Sequence, residues 1–270
     1  MTSMFQINVS AFLCFLPVIA VIYLYVLSAN GVSSSLPFTS FVGAGYPSVV
    51  DASAKAFDLT QKLFMRFGVF FLPLAIFVST YLSQTVQYAM RNFVWTEGHF
   101  SFKTLFKAFK FNWKQPIFIS LLTAVFSMGV MFLVYLFRNY LYVNGWNVWA
   151  VLIVIGLALV SLFFVIVTMY AYSISITYRE GIFAVYRDAV VLTVRLIVTN
   201  LFITLAVLLP IGLLFALMNT AFASIVLMVI IFIGFAYMLL TWTVYSQYVF
   251  DLATNKLKGD NPYAKQDKKL

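Results

Sequence analysis

Charged side chains are scarce in this chain of 270 residues, where they make up 9% of the sequence. A soluble domain carries about 25% charged residues. Hydrophobic residues reach 63% of the chain, which is more than a core of this length can bury. The composition therefore excludes an ordinary soluble protein and predicts an integral membrane protein.

Metal-binding and reactive residues are scarce too, with Cys14 as the single cysteine and His99 as the single histidine. One cysteine cannot form an intramolecular disulfide, and this pair cannot supply the three or four ligands of a typical zinc site. The two residues lie far apart in sequence and Cys14 falls in an apolar run. We therefore expect neither a zinc site nor a Cys/His catalytic pair.

Motifs of common active sites are missing as well. The chain has no Gly-x-Ser-x-Gly, no His-Glu-x-x-His, no glycine-rich phosphate loop and no pair of carboxylates within one apolar run. Its eight acidic residues lie mostly in connecting segments. We predict a non-enzymatic protein without catalytic residues, cofactor or metal.

No lysine or arginine precedes the first apolar run, which starts near Ala11. A secretory signal peptide needs a positively charged segment there. The sequence therefore favours a retained first membrane span.

Six apolar runs are each near the roughly 20 residues that cross a bilayer as a helix. They cover about 11–29, 67–90, 116–137, 147–176, 190–217 and 222–250. Backbone groups in lipid must be paired within the segment, and nothing alternates as the strands of a β-barrel do. The predicted fold class is all-α: a polytopic membrane protein with six transmembrane helices in a single transmembrane domain, 1–270.

Basic residues are concentrated in alternate connections. Segment 91–115 has five basic residues against Glu97, and the tail 251–270 has five lysines against three aspartates. Segment 177–189 has two arginines, whereas loop 138–146 has only Arg138. The positive-inside rule puts the basic set in the cytoplasm, with both termini, and makes 30–66 an external loop. Within that loop, 51–64 could form a short helix that leads into the second span.

The most aromatic of the basic segments, 101–114, has the spacing of an amphipathic helix. We expect this helix to lie in the membrane interface and to contact anionic headgroups. The expected interface residues are Phe102, Lys103, Phe106, Lys107, Phe109, Lys110, Trp113 and Lys114. Nucleic acid is disfavoured because stacking platforms need water-exposed rings; a partner-binding helix is the remaining alternative.

The same arrangement recurs further along the chain. Glu97-Gly98 and Phe100 match Glu180-Gly181 and Phe183, each 83 residues later. Each unit reads as a span, a cytoplasmic Glu-Gly elbow, an amphipathic helix and a span, which would be a parallel internal repeat. Chance similarity within a small apolar alphabet is the alternative.

Uncharged polar residues cluster at the predicted cytoplasmic ends of three spans. The set is Thr80, Gln84, Gln87 and Arg91 in the second span, Thr168, Tyr172, Ser175 and Arg179 in the fourth, and Thr243, Ser246 and Gln247 in the sixth. Hydrogen bonds between helices are one explanation. The other is a polar cavity open to the cytoplasm. Arg91 and Arg179, with Glu97 and Glu180, could likewise form salt bridges or an anion site.

Three stretches resemble the YesL-like bacterial membrane proteins: YAMRNF (88–93), EGHFSFKTLFKAFKFNWKQ (97–115) and YSQYVFD (245–251). The resemblance covers roughly 65–255, while the long Ser/Gly/Pro segment before Lys62 departs from the shorter members. It implies a Gram-positive-type plasma-membrane protein of unassigned biochemistry, often encoded beside carbohydrate ABC uptake systems.

The sequence thus leads to an expected function. We expect an accessory component of a carbohydrate ABC uptake system, with the permease subunits as partners. A small-solute transporter with a cytoplasm-facing polar cavity is the alternative. A membrane enzyme that acts on lipids or lipid-linked sugars through Glu97 or Glu180 is a third, weaker reading.

Overall fold

The computed structural model describes residues 2–35, 49–94, 105–107, 113–178, 180–216 and 233–258. These residues are 96% helical and contain no strand. The prediction of an all-α protein is therefore confirmed.

The main elements of the described residues are eight α-helices and one π-helix. They are α1 (Thr2–Ser35), α2 (Val49–Phe64), the π-helix (Met65–Phe71), α3 (Leu72–Asn92), α4 (Lys114–Asn144), α5 (Val148–Thr177), α6 (Ile182–Arg195), α7 (Ile197–Ala216) and α8 (Phe235–Lys258). Of the predicted external loop, 30–35 therefore continue α1, and α2 covers the segment where a short helix was predicted.

Four helical stretches are long and apolar enough to cross a membrane by length and composition. They are Phe5–Ala29, Ala56–Asn92, Lys114–Asn144 and Val148–Thr177. The bent pair Ile182–Arg195 and Ile197–Leu209 makes a fifth candidate if it is counted as one span. The described chain is thus consistent with a multi-pass membrane protein. Residues 217–232 lie outside the described residues, and they include most of the first half of the predicted sixth span, 222–250.

The π-helix has a local cause in Pro73. Proline has no backbone N–H, and its ring clashes with the carbonyl four residues earlier, here in the middle of the π-helix. The backbone N–H of Leu72, just before the proline, bonds to the Phe67 oxygen five residues back, and not to the oxygen four residues back as in an α-helix. The wider turn lets the helix continue from α2 into α3.

The predicted fifth span, 190–217, differs from what the structure shows. The chain bends by 96° between α6 and α7, and residues up to Arg195 belong to α6. One face of α6 is buried, formed by Val185, Ala189 and Thr193 at four-residue spacing. Phe183 lies on another face with 86% of its surface exposed.

A tight turn joins α4 to α5. Gly145 has a φ of +66°, which favours glycine, and its N–H bonds to the Leu141 oxygen. Asn147 then accepts a hydrogen bond from the Ala150 N–H through Oδ1, over 2.9 Å. This side chain caps the start of α5.

The chain divides into two compact units. Unit 1 comprises Met1–Phe12, Gln84–Trp113 and Ile166–Leu270, and unit 2 comprises Leu13–Ser83 and Lys114–Val165. Helices α1, α3 and α5 contribute residues to both. The polar residues predicted from the sequence lie in unit 1, with the exception of Thr80.

Candidate functional site

Two glutamines of α3 bond directly to serines of α5 in unit 1. Gln84 donates from Nε2 to Ser175 Oγ over 2.6 Å, and Gln87 donates from Nε2 to Ser173 Oγ over 3.0 Å. All four side chains are buried. An unpaired buried amide would cost several kcal/mol in hydrocarbon, so each bond removes a penalty and joins two helices.

The same face of α5 is bonded to α8. Trp242 donates from Nε1 to Ser173 Oγ over 2.9 Å, and Gln247 donates from Nε2 to Thr177 Oγ1 over 2.9 Å. Ser173 therefore accepts from both neighbours, Gln87 and Trp242. Its own hydroxyl donates to the Met169 oxygen one turn earlier.

The spacing of the bonds between α5 and α8 gives the relative direction of these two helices. Trp242 and Gln247 of α8 reach partners in α5 that are 69 and 70 residues earlier. A nearly constant offset means that α5 and α8 run in the same direction where they meet. The bonds of α3 have no constant offset, because Gln84, Gln87 and Arg91 reach partners in α5 that are 91, 86 and 85 residues further on.

Arg91 lies where α3 meets the last turn of α5. Its Nη1 is 3.3 Å from the Ile176 oxygen, to which it donates. The last carbonyls of a helix have no partner within the helix and carry partial negative charge. The guanidinium thus satisfies one of them.

Asn200 holds the corner between α6 and α7. Its Nδ2 donates to the Leu192 and Thr193 oxygens at 3.3 and 3.2 Å, which are carbonyls at the end of α6. Its Oδ1 accepts from the Tyr170 and Tyr245 hydroxyls, each over 2.7 Å. Asn200 is fully buried. One side chain therefore satisfies the broken helix end and connects α5 and α8 to it.

A second buried asparagine joins α1 to α8. Asn8 of α1, fully buried, accepts the backbone N–H of Ala236 through Oδ1 over 2.8 Å. Ala236 is the second residue of α8. The rings of Phe12 and Phe235 meet edge-on beside this bond.

Three buried oxygen atoms in the same region have no hydrogen-bond partner among the described residues. They are Gln84 Oε1, Thr168 Oγ1 and Thr243 Oγ1. Each residue is at most 6% exposed. These atoms are the ones that could bind water or a small polar molecule.

The structure brings most of the predicted polar residues together. Tyr172 is buried and its carbonyl accepts the Ser175 hydroxyl. Thr80 belongs to unit 2, where its hydroxyl donates to the Ile76 oxygen of its own helix. Ser246 is fully buried and bonds to the Thr243 oxygen. Arg179 lies outside the described residues.

The predicted interface residues are described only in part. Phe106 is 69% exposed and Trp113 is 54% exposed, and Lys107 and Lys114 are exposed as well. Residues 105–107 are helical. Phe102, Lys103, Phe109 and Lys110 lie outside the described residues.

The sequence analysis missed several of the residues that form hydrogen bonds between the helices of unit 1. They are Asn8, Tyr170, Ser173, Thr177, Asn200, Trp242 and Tyr245. A signal was present for the two asparagines, since each is a strongly polar residue within a long apolar helix. The partners of Ser173 and Thr177 depend on the rotation of α5, which spacing alone does not give.

Metal binding finds no support in the part of the chain that the structure describes, where no group of three or more His, Cys, Asp or Glu side chains could hold an ion. The chain matches no known family model, no curated protein and no solved structure.

Proposed function

We propose that this chain is a non-enzymatic, multi-pass protein of the bacterial plasma membrane that acts as an accessory component of a carbohydrate ABC uptake system. The observation that supports an accessory role, and not transport by this chain, is the pairing of polar side chains between α3, α5 and α8. Gln87 of α3 and Trp242 of α8 both donate hydrogen bonds to Ser173 of α5. Side chains that bond to one another in this way hold helices together and are not available to a solute.

The parallel direction of α5 and α8 supports a six-span topology. If α3, α5 and α8 each run from outside to inside, α4 and α7 return the chain between them. The segment 105–107 then lies in the cytoplasm with the C-terminus, as the positive-inside rule requires. The N-terminus lies on the same side because α1 precedes α3 by one crossing.

Helix α6 supports a cytoplasmic elbow. It follows Glu180-Gly181, makes an angle of 96° with α7, and exposes Phe183, Val190, Val191 and Val194. A helix across the direction of the spans, with apolar side chains exposed, fits the membrane interface. Arg187 and Asp188 pair at its surface over 2.8 Å.

The link to carbohydrate uptake comes from the resemblance to the YesL-like proteins. We assign the permease subunits of such a system as the partner, and α6 with 105–107 as the surface that meets them. Each of the two stretches has an exposed ring and a basic residue: Phe106 with Lys107, and Phe183 with Arg187, which pairs with Asp188. Aromatic residues and arginine are common in protein interfaces.

The test is affinity purification of the tagged full-length chain from native membranes, with partners identified by mass. We expect a permease of a carbohydrate ABC system to co-purify, and to be lost when Phe183→Ala and Arg187→Glu are combined. Val143→Ala, at an exposed site of α4, should leave recovery unchanged. Recovery of no permease, or equal recovery with all variants, would contradict the accessory role.

A small-solute transporter is the second candidate, and the oxygen atoms of Gln84, Thr168 and Thr243 without partners among the described residues favour it. They could contact a polar solute that enters from the cytoplasm. The experiment is flux of labelled sugars into liposomes that hold this chain alone. Flux that Gln84→Leu abolishes would support transport, and zero flux for every sugar tested would count against it.

A further inference from the structure

A half-open apolar recess lies in unit 2, remote in sequence from most of the polar cluster. Its volume is about 190 Å³. The residues that line it come from three helical stretches and include Val21, Tyr25, Phe64, Phe67, Gly68 and Met131. Apolar cavities of about 150 Å³ stay dry and bind apolar ligands. This recess is therefore suited to hydrocarbon.

The recess depends on the π-helix and on Gly68. Gly68 is buried in that segment, and a Cβ added to it would stand 3.3 Å from the Phe64 ring. The missing side chain keeps one wall open. The Tyr25 ring packs edge-on against Phe64 and Phe67, with centroid distances of 6.3 and 6.4 Å. These ring contacts fix the opposite wall.

A cation and a polar edge lie next to the apolar space. The Arg138 guanidinium carbon is 4.7 Å from the centroid of the Phe64 ring, which lines the recess. Its neighbour Asn139 accepts a hydrogen bond from Gln61 Nε2 over 2.8 Å. Among the described residues, no carboxylate forms an ion pair with Arg138. Hydrocarbon walls thus meet a positive charge at one end.

Exposed apolar side chains surround the recess. Ile22, a lining residue, is 50% exposed, and Phe71 at the end of the π-helix is 47% exposed. The lining belongs to stretches that are long and apolar enough to cross a membrane. The molecules next to such a surface are lipids, which carry an apolar tail and a charged headgroup.

We propose that the recess binds one acyl chain of a phospholipid, whose phosphate contacts Arg138. The apolar tail of such a lipid suits the recess, and its negative phosphate suits the Arg138 guanidinium. Met131 and Arg138 are two turns apart on α4, about 10 Å. A lipid that lies along α4 therefore reaches both. This lipid is a bound constituent of unit 2, separate from the headgroups that contact the interfacial helices.

The test uses the full-length chain in nanodiscs that contain phosphatidylglycerol with a photoactivatable diazirine in the acyl chain. Adducts are mapped by mass spectrometry as the fraction of photolipid rises. Adducts on the α1, π-helix and α4 stretches of the recess should saturate. Adducts at Leu74, which is 60% exposed and does not line the recess, should rise linearly, as contact with bulk lipid does.

Two filling variants test the apolar part of the site. Val21→Trp should lower the saturable labelling by at least about tenfold, because the larger ring occupies the recess. Leu24→Trp, at an exposed position of the same helix that does not line the recess, should leave it unchanged. If Val21→Trp does not fold, Met131→Phe replaces it, because its ring fills the recess from α4. Saturable labelling of the unaltered chain tests the site without any variant.

Arg138 tests the charged part. Arg138→Gln should raise the half-saturating fraction of phosphatidylglycerol about fivefold, whereas Arg138→Lys should largely preserve it. A diazirine diacylglycerol, which has no phosphate, should label equally in both. Linear labelling throughout the unaltered chain, or saturable labelling that Val21→Trp leaves intact, would overturn the proposal. An Arg138→Gln variant with unchanged saturation would overturn the phosphate contact.

Discussion

Tyr170 and Tyr245 donate hydrogen bonds to one oxygen atom, Oδ1 of Asn200, each over 2.7 Å. Their rings lie with centroids 6.5 Å apart. The two tyrosines come from α5 and α8, and Asn200 comes from the start of α7. Three helices therefore depend on one buried amide, which makes it the first target for mutation.

Replacement of Asn200 should lower stability strongly. Asn200→Leu removes the oxygen that accepts both tyrosine hydroxyls, and it leaves the Leu192 and Thr193 carbonyls without their side-chain partner. We therefore expect the free energy of unfolding to fall by about 2–4 kcal/mol. Tyr245→Phe removes one bond and should cost about 0.6 kcal/mol. Unfolding by titration with sodium dodecyl sulfate measures both changes.

Thr204 provides the matched control for Asn200. It lies one turn further along α7, is 2% exposed, and its hydroxyl has no partner among the described residues. Thr204→Val removes a buried hydroxyl that makes no hydrogen bond in the described part of the chain, so it should leave the free energy of unfolding unchanged or raise it. An Asn200→Leu variant as stable as Thr204→Val would show that the corner does not depend on the amide.

Ser173 and Trp242 should be energetically coupled. In a double-mutant cycle of Ser173→Ala and Trp242→Phe, we expect an interaction free energy of about 0.6–1.7 kcal/mol for the lost bond. Ser127→Ala removes a hydroxyl whose one bond among the described residues is to the Ala124 oxygen of its own helix, so its effect should add to that of Trp242→Phe. Additivity of the Ser173 pair as well would contradict the coupling.

Reactivity of introduced cysteines distinguishes a packed bundle from a cavity. In a Cys14→Ser background, Thr168→Cys and Thr243→Cys should react with a charged thiol reagent at least about tenfold more slowly than Phe106→Cys, because thiol reactivity depends on access. The exposed fractions of the three native side chains are 6%, 1% and 69%. Fast reaction of the cysteines at both threonine positions, slowed when a solute is added, would favour the transporter instead.

Orientation in the membrane follows from two further cysteines in the same background. Val143→Cys, at a site that is 79% exposed near the end of α4, should react with a membrane-impermeant reagent in intact cells. Lys107→Cys should react only after permeabilisation, because the proposed topology puts the basic segments inside. The reverse pattern would place both termini outside.

The helical class of the fold was predictable from the sequence because composition alone decides it. Apolar runs of about 20 residues with almost no charge have few other structures open to them. The polar stripe of α3 was also predictable, since Gln84 and Gln87 share a face by spacing. Their partners in α5 follow from helix rotation, which a uniformly apolar sequence leaves undetermined.

The bend at Leu196 was less accessible. Residues 190–217 are mostly apolar, and hydropathy does not separate a helix in the interface from a span. The buried Asn200 is the residue that makes the bend stable, because it supplies partners for the carbonyls that the bend exposes. A polar residue in an apolar run can therefore mark a break as well as a contact between helices.

The bond between Asn8 and Ala236 has a consequence for the order in which the protein is made. Its two ends are 228 residues apart, so at 5–20 residues per second the ribosome needs roughly 10–45 s to supply the second after the first. The N-terminal helix must wait in the membrane for that time before this contact can form. Assembly of unit 1 is therefore completed only when the last helix arrives, and a nascent chain that stops short of α8 lacks the contact between its beginning and its end.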